Sequence, residues 1–294
     1  SPPLRQLRAH SQALGSPQTK PRERDMTGYK TLIVKKEGAV DWLTLNRPDA
    51  LNAMNPELVD ELQDYFGKLY TDHSVRIVVI RGAGRAFCAG LDLKDRSNRD
   101  DSATSGSPQA GLVSQRRISE IVMRMRRCPQ AIISLVHGPA CGGGFALALA
   151  SDIRIAGKSA RMNAAFIRIG LSACDIGVSY FLPRLVGVTI ASELMMTGRF
   201  INADRAERVG LVSEVVEDEK LEEAARPYIE EMLTTSPLGL RLTKECLNMS
   251  VDAGSLEAAV AMEDRNQILC AQTKDFREGI SAFLEKRKPA YTNS

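Results

Sequence analysis

Two apolar, β-rich runs in this chain each empty into a glycine loop, and that recurrence constrains the fold more than any other feature. Val75 to Ile80 ends at Arg81-Gly82-Ala83-Gly84, and "AIISLVHG" runs on into "PACGGGFALALASD". Runs without a polar alternation read as strands buried on both faces, each leading into a loop. Helical patterns follow: one carries Ile118, Ile121, Val122 and Met125, and the other begins at the second glycine turn. Strand, loop and helix thus recur from 75 and again from 131, which predicts stacked β/α turns rather than a two-domain nucleotide-binding protein.

The flanking segments fit that plan. "YKTLIVKK" and "AVDWLTLN" surround Glu37-Gly38 and predict a hairpin. In "NPELVDELQDYFGKLY", Asn55 can cap a helix with Pro56 in its first turn, and Leu58, Leu62, Tyr65, Phe66 and Leu69 fall on one face. Residues 94–117 are polar and rich in Ser, Asp and Arg, so a mobile surface excursion is expected, one that could lie over a ligand site. From about 204 onward the pattern is mainly helical, with Asp204, Ser255 and Thr273 as candidate caps.

Composition excludes several function classes. The 294 residues suffice for one large domain, or a domain with an appendage, without disulfides. Lys and Arg number 39 against 36 Asp and Glu, and a formal +3 argues for neither nucleic-acid binding nor a polybasic membrane patch. No apolar stretch approaches the ~18 residues that span a bilayer, so a soluble protein is expected. Cys88, Cys128, Cys141, Cys174, Cys246 and Cys270 form no C-x-x-C pair and no zinc-like spacing with histidine. Reduced thiols, no metal and no permanently bound cofactor are the expectation. His137 closes an apolar run before Gly138-Pro139 and reads as a strand-end residue rather than a catalyst. The first 24 residues carry Arg5, Arg8, Lys20, Arg22 and Arg24 against the single acid Glu23. That composition suits a mitochondrial transit peptide or an unstructured leader, the latter leaving a cytoplasmic protein. The ending "YTNS" carries no Ser-Lys-Leu peroxisomal signal.

The chemistry resides in "RGAGRAFCAGLDLK" and "HGPACGGGFALALASD". If their strands are neighbours, each loop can aim one backbone N–H at a common point, a two-donor oxyanion hole. Glycine leaves room for the close approach of a carbonyl. Neither loop is a Walker or dinucleotide fingerprint. On pattern alone, a tight helix-packing turn accounts for GGG as well.

The ordered blocks "LNRPDALNAM", "GAGRAFCAGLDLK", "HGPACGGGFALALASDIRIAG", "VSYFLPRLVG", "MMTGRFINADRAERVGLVSEVV" and "FLEKRKP" resemble the enoyl-CoA hydratase/isomerase (crotonase) superfamily over roughly residues 29–290. The resemblance implies an α/β fold, a crotonase-like spiral of ββα turns with a C-terminal α-helical trimerisation region. With the basic leader read from composition over 1–26, it divides the rest of the chain into a core over 27–230 and a helical region over 231–294. It also implies a CoA thioester substrate and a homotrimer or dimer of trimers. By position, Leu91 and Gly143 would supply the oxyanion N–H groups. Ala50, Leu51 and Ala53, with Asp92, Leu93 and Lys94, would line the CoA site. Phe283 and Lys286 resemble terminal CoA contacts made across a subunit boundary, and a solvated helix end is the alternative for Lys286.

The departures from the family are informative. Hydratases of the family carry one glutamate two residues after the GGG turn and another about twenty residues later. Here Ala146 and Phe166 stand there, which suits an acyl pocket and not proton transfer. Asp175 is the compensating candidate: dienoyl-CoA isomerases have an aspartate nearby, and 4-chlorobenzoyl-CoA dehalogenases have a nucleophilic one in a similar Asp-x-x-x-Ser-Tyr context. The alternative for Asp175 is a helix N-cap. One carboxylate with an oxyanion hole suffices to move a proton beside a thioester, which is isomerase chemistry, while hydration by a single carboxylate is less direct. A dehalogenase-like nucleophilic enzyme and a catalytically silent CoA-binding or assembly protein are the other readings.

Overall fold

Strands β1 (Leu32–Glu37) and β2 (Val40–Leu45) form the expected antiparallel hairpin, with Glu37 opposite Val40 across its turn. The chain then returns through helix α1 (Pro56–Leu69) to β3 (Ile77–Gly82), which lies parallel to β2. Asn55 caps α1 by accepting the Leu58 N–H at 3.0 Å, as its sequence anticipates. Helix α2 (Pro108–Arg127) leads to β4 (Ala131–Val136), parallel to β3. A short strand β5 (Pro139–Cys141) and helix α3 (Gly143–Ala150) follow, then β6 (Ile153–Gly157) beside β4. The computed structural model describes residues 28–94 and 107–294. The leader and positions 95–106 of the polar excursion lie outside the described residues.

Alternation along the strands decides the layering. Leu43, Leu45, Val78, Ile80, Ile132 and Val136 enter one core with α1, α2 and α3. Trp42, Ile77, Val79, Ile133 and Leu135 face a second core under helix α6 (Leu221–Leu233). Both sheet faces are covered, which is why β3 and β4 read as continuous apolar runs. A last strand, β9 (Glu214–Val216), pairs with β6 and completes the order β1-β2-β3-β4-β6-β9. A second sheet stacks β5 with β7 (Arg161–Asn163) and β8 (Ile201–Asn202).

After β7 the chain forms α4 (Val178–Thr197), broken at Gly187, and α5 (Ala203–Arg208). Beyond α6, the helices α7 (Pro237–Ser250), α8 (Leu256–Ala271) and α9 (Lys274–Leu284) bear out the helical reading of the C-terminal region. Ser255 and Thr273 cap α8 and α9. Asp204 does not cap α5. Asn202 does, accepting the Arg205 N–H at 3.0 Å, and Asp204 sits inside the first turn. Residues 108–117, expected in a surface excursion, are helical, because Ser107-Pro108 starts α2 and burial of Ile121, Val122 and Met125 holds it down. Lys244 clamps α7 to the core. Its side chain is 6% exposed, and its ammonium pairs with Asp152 at 2.9 Å and donates to the carbonyls of Gln130 and Met125.

Candidate active site

Both glycine turns leave the sheet at the carboxyl ends of the adjacent parallel strands β3 and β4. Beyond the sheet they run side by side: Cys88 bridges Ala140, and the Cys141 N–H donates to the Cys88 carbonyl at 3.0 Å. The contact is backbone on backbone. A Cβ on Gly144 would collide with the Cys88 carbonyl oxygen, and one on Gly90 would stand 2.7 Å from that of Cys141. Glycine alone permits both approaches.

This brace aligns two amides. Gly142, at φ 51° and ψ −115°, turns the chain so that α3 begins at Gly143, whose N–H has no acceptor within its own helix. Leu91 bridges Met54, which donates to the Gly90 carbonyl at 2.7 Å and accepts from the Asp92 N–H at 3.0 Å. The Leu91 N–H therefore points away from Met54. A Cβ on Gly90 would lie 3.4 Å from the Gly143 nitrogen, so the two turns meet here. Among the described residues neither the Leu91 nor the Gly143 amide donates to another group. Two convergent amides without acceptors can receive a developing oxyanion.

The carboxylate enters from the other side. Asp175 is half-buried, and its Oδ1 accepts the Gln115 side-chain N–H at 2.5 Å. Ile176, the next residue, is β-branched yet held at φ 47°. Such backbone costs on the order of 1–3 kcal/mol and persists where the surroundings enforce it. The Ile176 Cδ1 lies 3.5 Å from the Cβ position of Gly143, so the strained residue packs the Asp175 loop onto the donor turn. Asp175 is not an N-cap: α4 starts at Val178 behind Gly177, and no side chain caps it.

The remaining residues take distinct places. Ala146 is fully buried in α3, and the buried Phe166 lays its ring 3.3 Å from the Cβ position of Gly142. Two apolar groups thus back the turn, and neither can transfer a proton. Ala50 and Leu51 are half-buried and Ala53 is buried along the stretch that flanks Leu91. Asp92 turns onto Arg47, pairing with it at 3.0 Å, while Leu93 and Lys94 are exposed at the rim. Phe283, 81% exposed, and Lys286 stand at the outer end of α9 rather than against the glycine turns. Lys286, at φ 53°, closes that helix in a left-handed turn.

Burial pushes the Cys88 thiol up to about 12 and Cys141 to about 11, so both stay protonated at neutral pH and neither is a nucleophile. The His137 Nε2 lies 2.8 Å from the Gly84 carbonyl, which makes it a loop tie, as its strand-end position suggests. Gln115, Met54 and Ile176 were absent from the sequence-based site. Ser107-Pro108 would have placed Gln115 on a helix, but nothing in sequence marks Ile176.

The comparisons fit this geometry. The enoyl-CoA hydratase/isomerase family model matches residues 35–294. A probable enoyl-CoA hydratase of Mycobacterium bovis is 40% identical over 274 residues, covering 91% of this chain and 96% of its own. The 1,2-epoxyphenylacetyl-CoA isomerase of Escherichia coli is 38% identical, covering 87% of this chain and 96% of its own. The crystal structure of an enoyl-CoA hydratase from Bacillus anthracis superposes with a TM-score of 0.84 at 32% identity, over 90% of this chain and 100% of that one. An α/β spiral with braced glycine turns, a match over nearly its whole length and these relatives together place the chain in the enoyl-CoA hydratase/isomerase family of acyl-CoA enzymes.

Proposed function

We propose that this enzyme is an isomerase of unsaturated acyl-CoA thioesters, with Asp175 as its proton shuttle. The observation that carries this is the position of a half-buried carboxylate packed, through Ile176, onto the Gly143 turn, while Ala146 and Phe166 offer no acid. The Asp175 carboxylate takes a proton from the carbon next to the thioester. The electron pair moves into the enolate, whose oxygen accepts from the Leu91 and Gly143 amides. The same carboxyl group then returns the proton to a different carbon, so the double bond moves and no water is consumed. The 38% identical relative named as an isomerase of an epoxyacyl-CoA supports isomerisation of an acyl-CoA thioester without consumption of water, though not the double-bond shift itself.

Ala50, Leu51, Ala53, Leu93 and Lys94 would flank the CoA moiety, while Asp92 holds Arg47. Phe283 and Lys286 would reach CoA from a neighbouring subunit. α8 buries none of its residues within one chain, leaving Leu256, Ile268 and Leu269 exposed, which supports assembly as a homotrimer or dimer of trimers. Among the described residues no helix is long and apolar enough to cross a membrane. The basic segment 1–24 supports a mitochondrial address, tested by import of the full chain into isolated mitochondria.

The deciding experiment is chromatographic and mass-spectrometric product analysis with 2-enoyl-, 3-enoyl- and 3,5-dienoyl-CoA. Products of unchanged mass with a moved double bond are expected. Addition of water as the main outcome, or no conversion, would overturn the isomerase reading, and a covalent aspartyl adduct from a halobenzoyl-CoA would replace it with a nucleophilic one.

A further inference from the structure

Along α2, Gln115, Ser119, Val122 and Arg126 recur at i, i+4, i+7 and i+11, which places them on one helical face. Gln115 holds Asp175, and the other three line a cavity of about 1000 Å³. Gly177 and Phe181 at the start of α4, and Leu238, Leu242 and Met249 on α7, form the facing walls. The cavity therefore begins two residues from the carboxylate and is largely apolar. Val122 and Gly177 form its wall nearest Asp175, the Val122 Cγ2 lying 3.7 Å from the Cβ position of Gly177.

Arg126 is the exception in that lining. Lys244 pairs with Asp152 at 2.9 Å, Arg127 with Glu120 at 3.1 Å, and Arg241 donates to the His73 carbonyl at 3.1 Å. Glu245, the one acid of the lining, is exposed. Arg126 is half-buried, its guanidinium lies 5.5 Å from the Phe181 ring centroid, and among the described residues it hydrogen-bonds no carboxylate or carbonyl; Asp252, the acid it faces through space, is already bonded by Arg184 and Tyr180. A partly desolvated cation beside an apolar cavity is stabilised when a ligand brings the counter-charge.

We propose that this cavity takes the far end of the acyl chain and that Arg126 selects chains ending in a carboxylate, making ω-carboxyacyl-CoA thioesters the preferred substrates. The proposal rests on the reading of the glycine turns and Asp175 as an acyl-CoA site. About 16 Å of helix separates Gln115 from Arg126, and the arginine reaches back toward the helix N-terminus. A chain of medium length spans that distance.

The test is calorimetric titration of the full-length protein with unreactive saturated acyl-CoA thioesters, paired at equal length and ending in methyl or carboxylate. The carboxylate-ended member of medium-length pairs is expected to bind roughly 10- to 100-fold tighter. Arg126→Met should abolish that ratio and Arg126→Lys should keep part of it. Equal or reversed affinities in the native protein would overturn the proposal, and so would a ratio that survives Arg126→Met in a variant with native circular dichroism. Binding needs no proton transfer: a carboxylate preference without turnover upholds Arg126 and sinks the isomerase reading, while turnover without the preference does the reverse.

Discussion

On one side of the candidate active site, Cys88, Gly90, Cys141 and Gly144 press backbone against backbone, and the two proposed donor amides follow from where the chain runs. On the other side, a single carboxylate projects from a left-handed turn and is steadied by the side chain of Gln115. The first arrangement has no side chain to exchange, so it can only be kept or broken. The second can be re-aimed by changing one residue. The difference teaches how the two halves of the proposed mechanism are held: the enolate oxygen would be met by backbone alone, while the group that would move the proton is one side chain presented by the neighbouring loop.

That contrast can be broken by experiment. The largest effect is expected from Asp175→Asn, which keeps the shape and removes the base. Turnover should fall roughly 10²- to 10⁴-fold with acyl-CoA binding retained, and steady-state kinetics within tenfold of the parent would contradict the role. Gly144→Ala comes next, because its methyl must push the Cys88 backbone away and displace the Gly143 amide. A misplacement of about 1 Å costs on the order of 10²-fold, and this variant should also melt at a lower temperature, readable by calorimetry. Unlike Asp175→Asn, it damages the donor half alone.

Smaller changes sharpen the comparison. Gln115→Leu should lower kcat about tenfold, roughly 1.4 kcal/mol, and move the pH profile of kcat, since Asp175 loses a hydrogen bond to its charged form. A mere packing role for Gln115 would leave that pH profile in place. The last expectation concerns the brace itself. The Cys88 and Cys141 thiols are raised by burial from an ordinary value of 9.0 to about 12 and about 11. The folded state therefore holds protons that the unfolded chain gives up, so stability falls as pH rises above about 9 and through those folded values. Thermal melting across that range checks the sign. A melting temperature that rose with alkaline pH would show that the buried thiols do not govern it.

The layering is legible in the sequence, and for a definite reason. β3 and β4 are apolar throughout because helices cover both sheet faces, and the GGG run betrays a turn where a Cβ meets Cys88. Asp175 was legible only by contrast, through Ala146 and Phe166 standing where acids were expected. Gln115 is not, since it lies sixty residues from its partner in a segment whose polar composition suggests a surface excursion. Whether Asp175 capped a helix could not be decided from sequence either. The N-cap reading failed because α4 starts three residues later, behind Gly177.

The sequence by itself determined the period of strands and helices, the glycine turns and the identity of the one carboxylate in the Asp175 segment, because these are local choices of side chain and backbone freedom. Tertiary structure alone decided that Leu91 and Gly143 face each other, that Ile176 is strained onto the donor turn, and that Gln115 and Arg126 share a helical face. Those are contacts between segments far apart in the chain. Their geometry is set by how the cores pack, and packing is a property of all the segments at once.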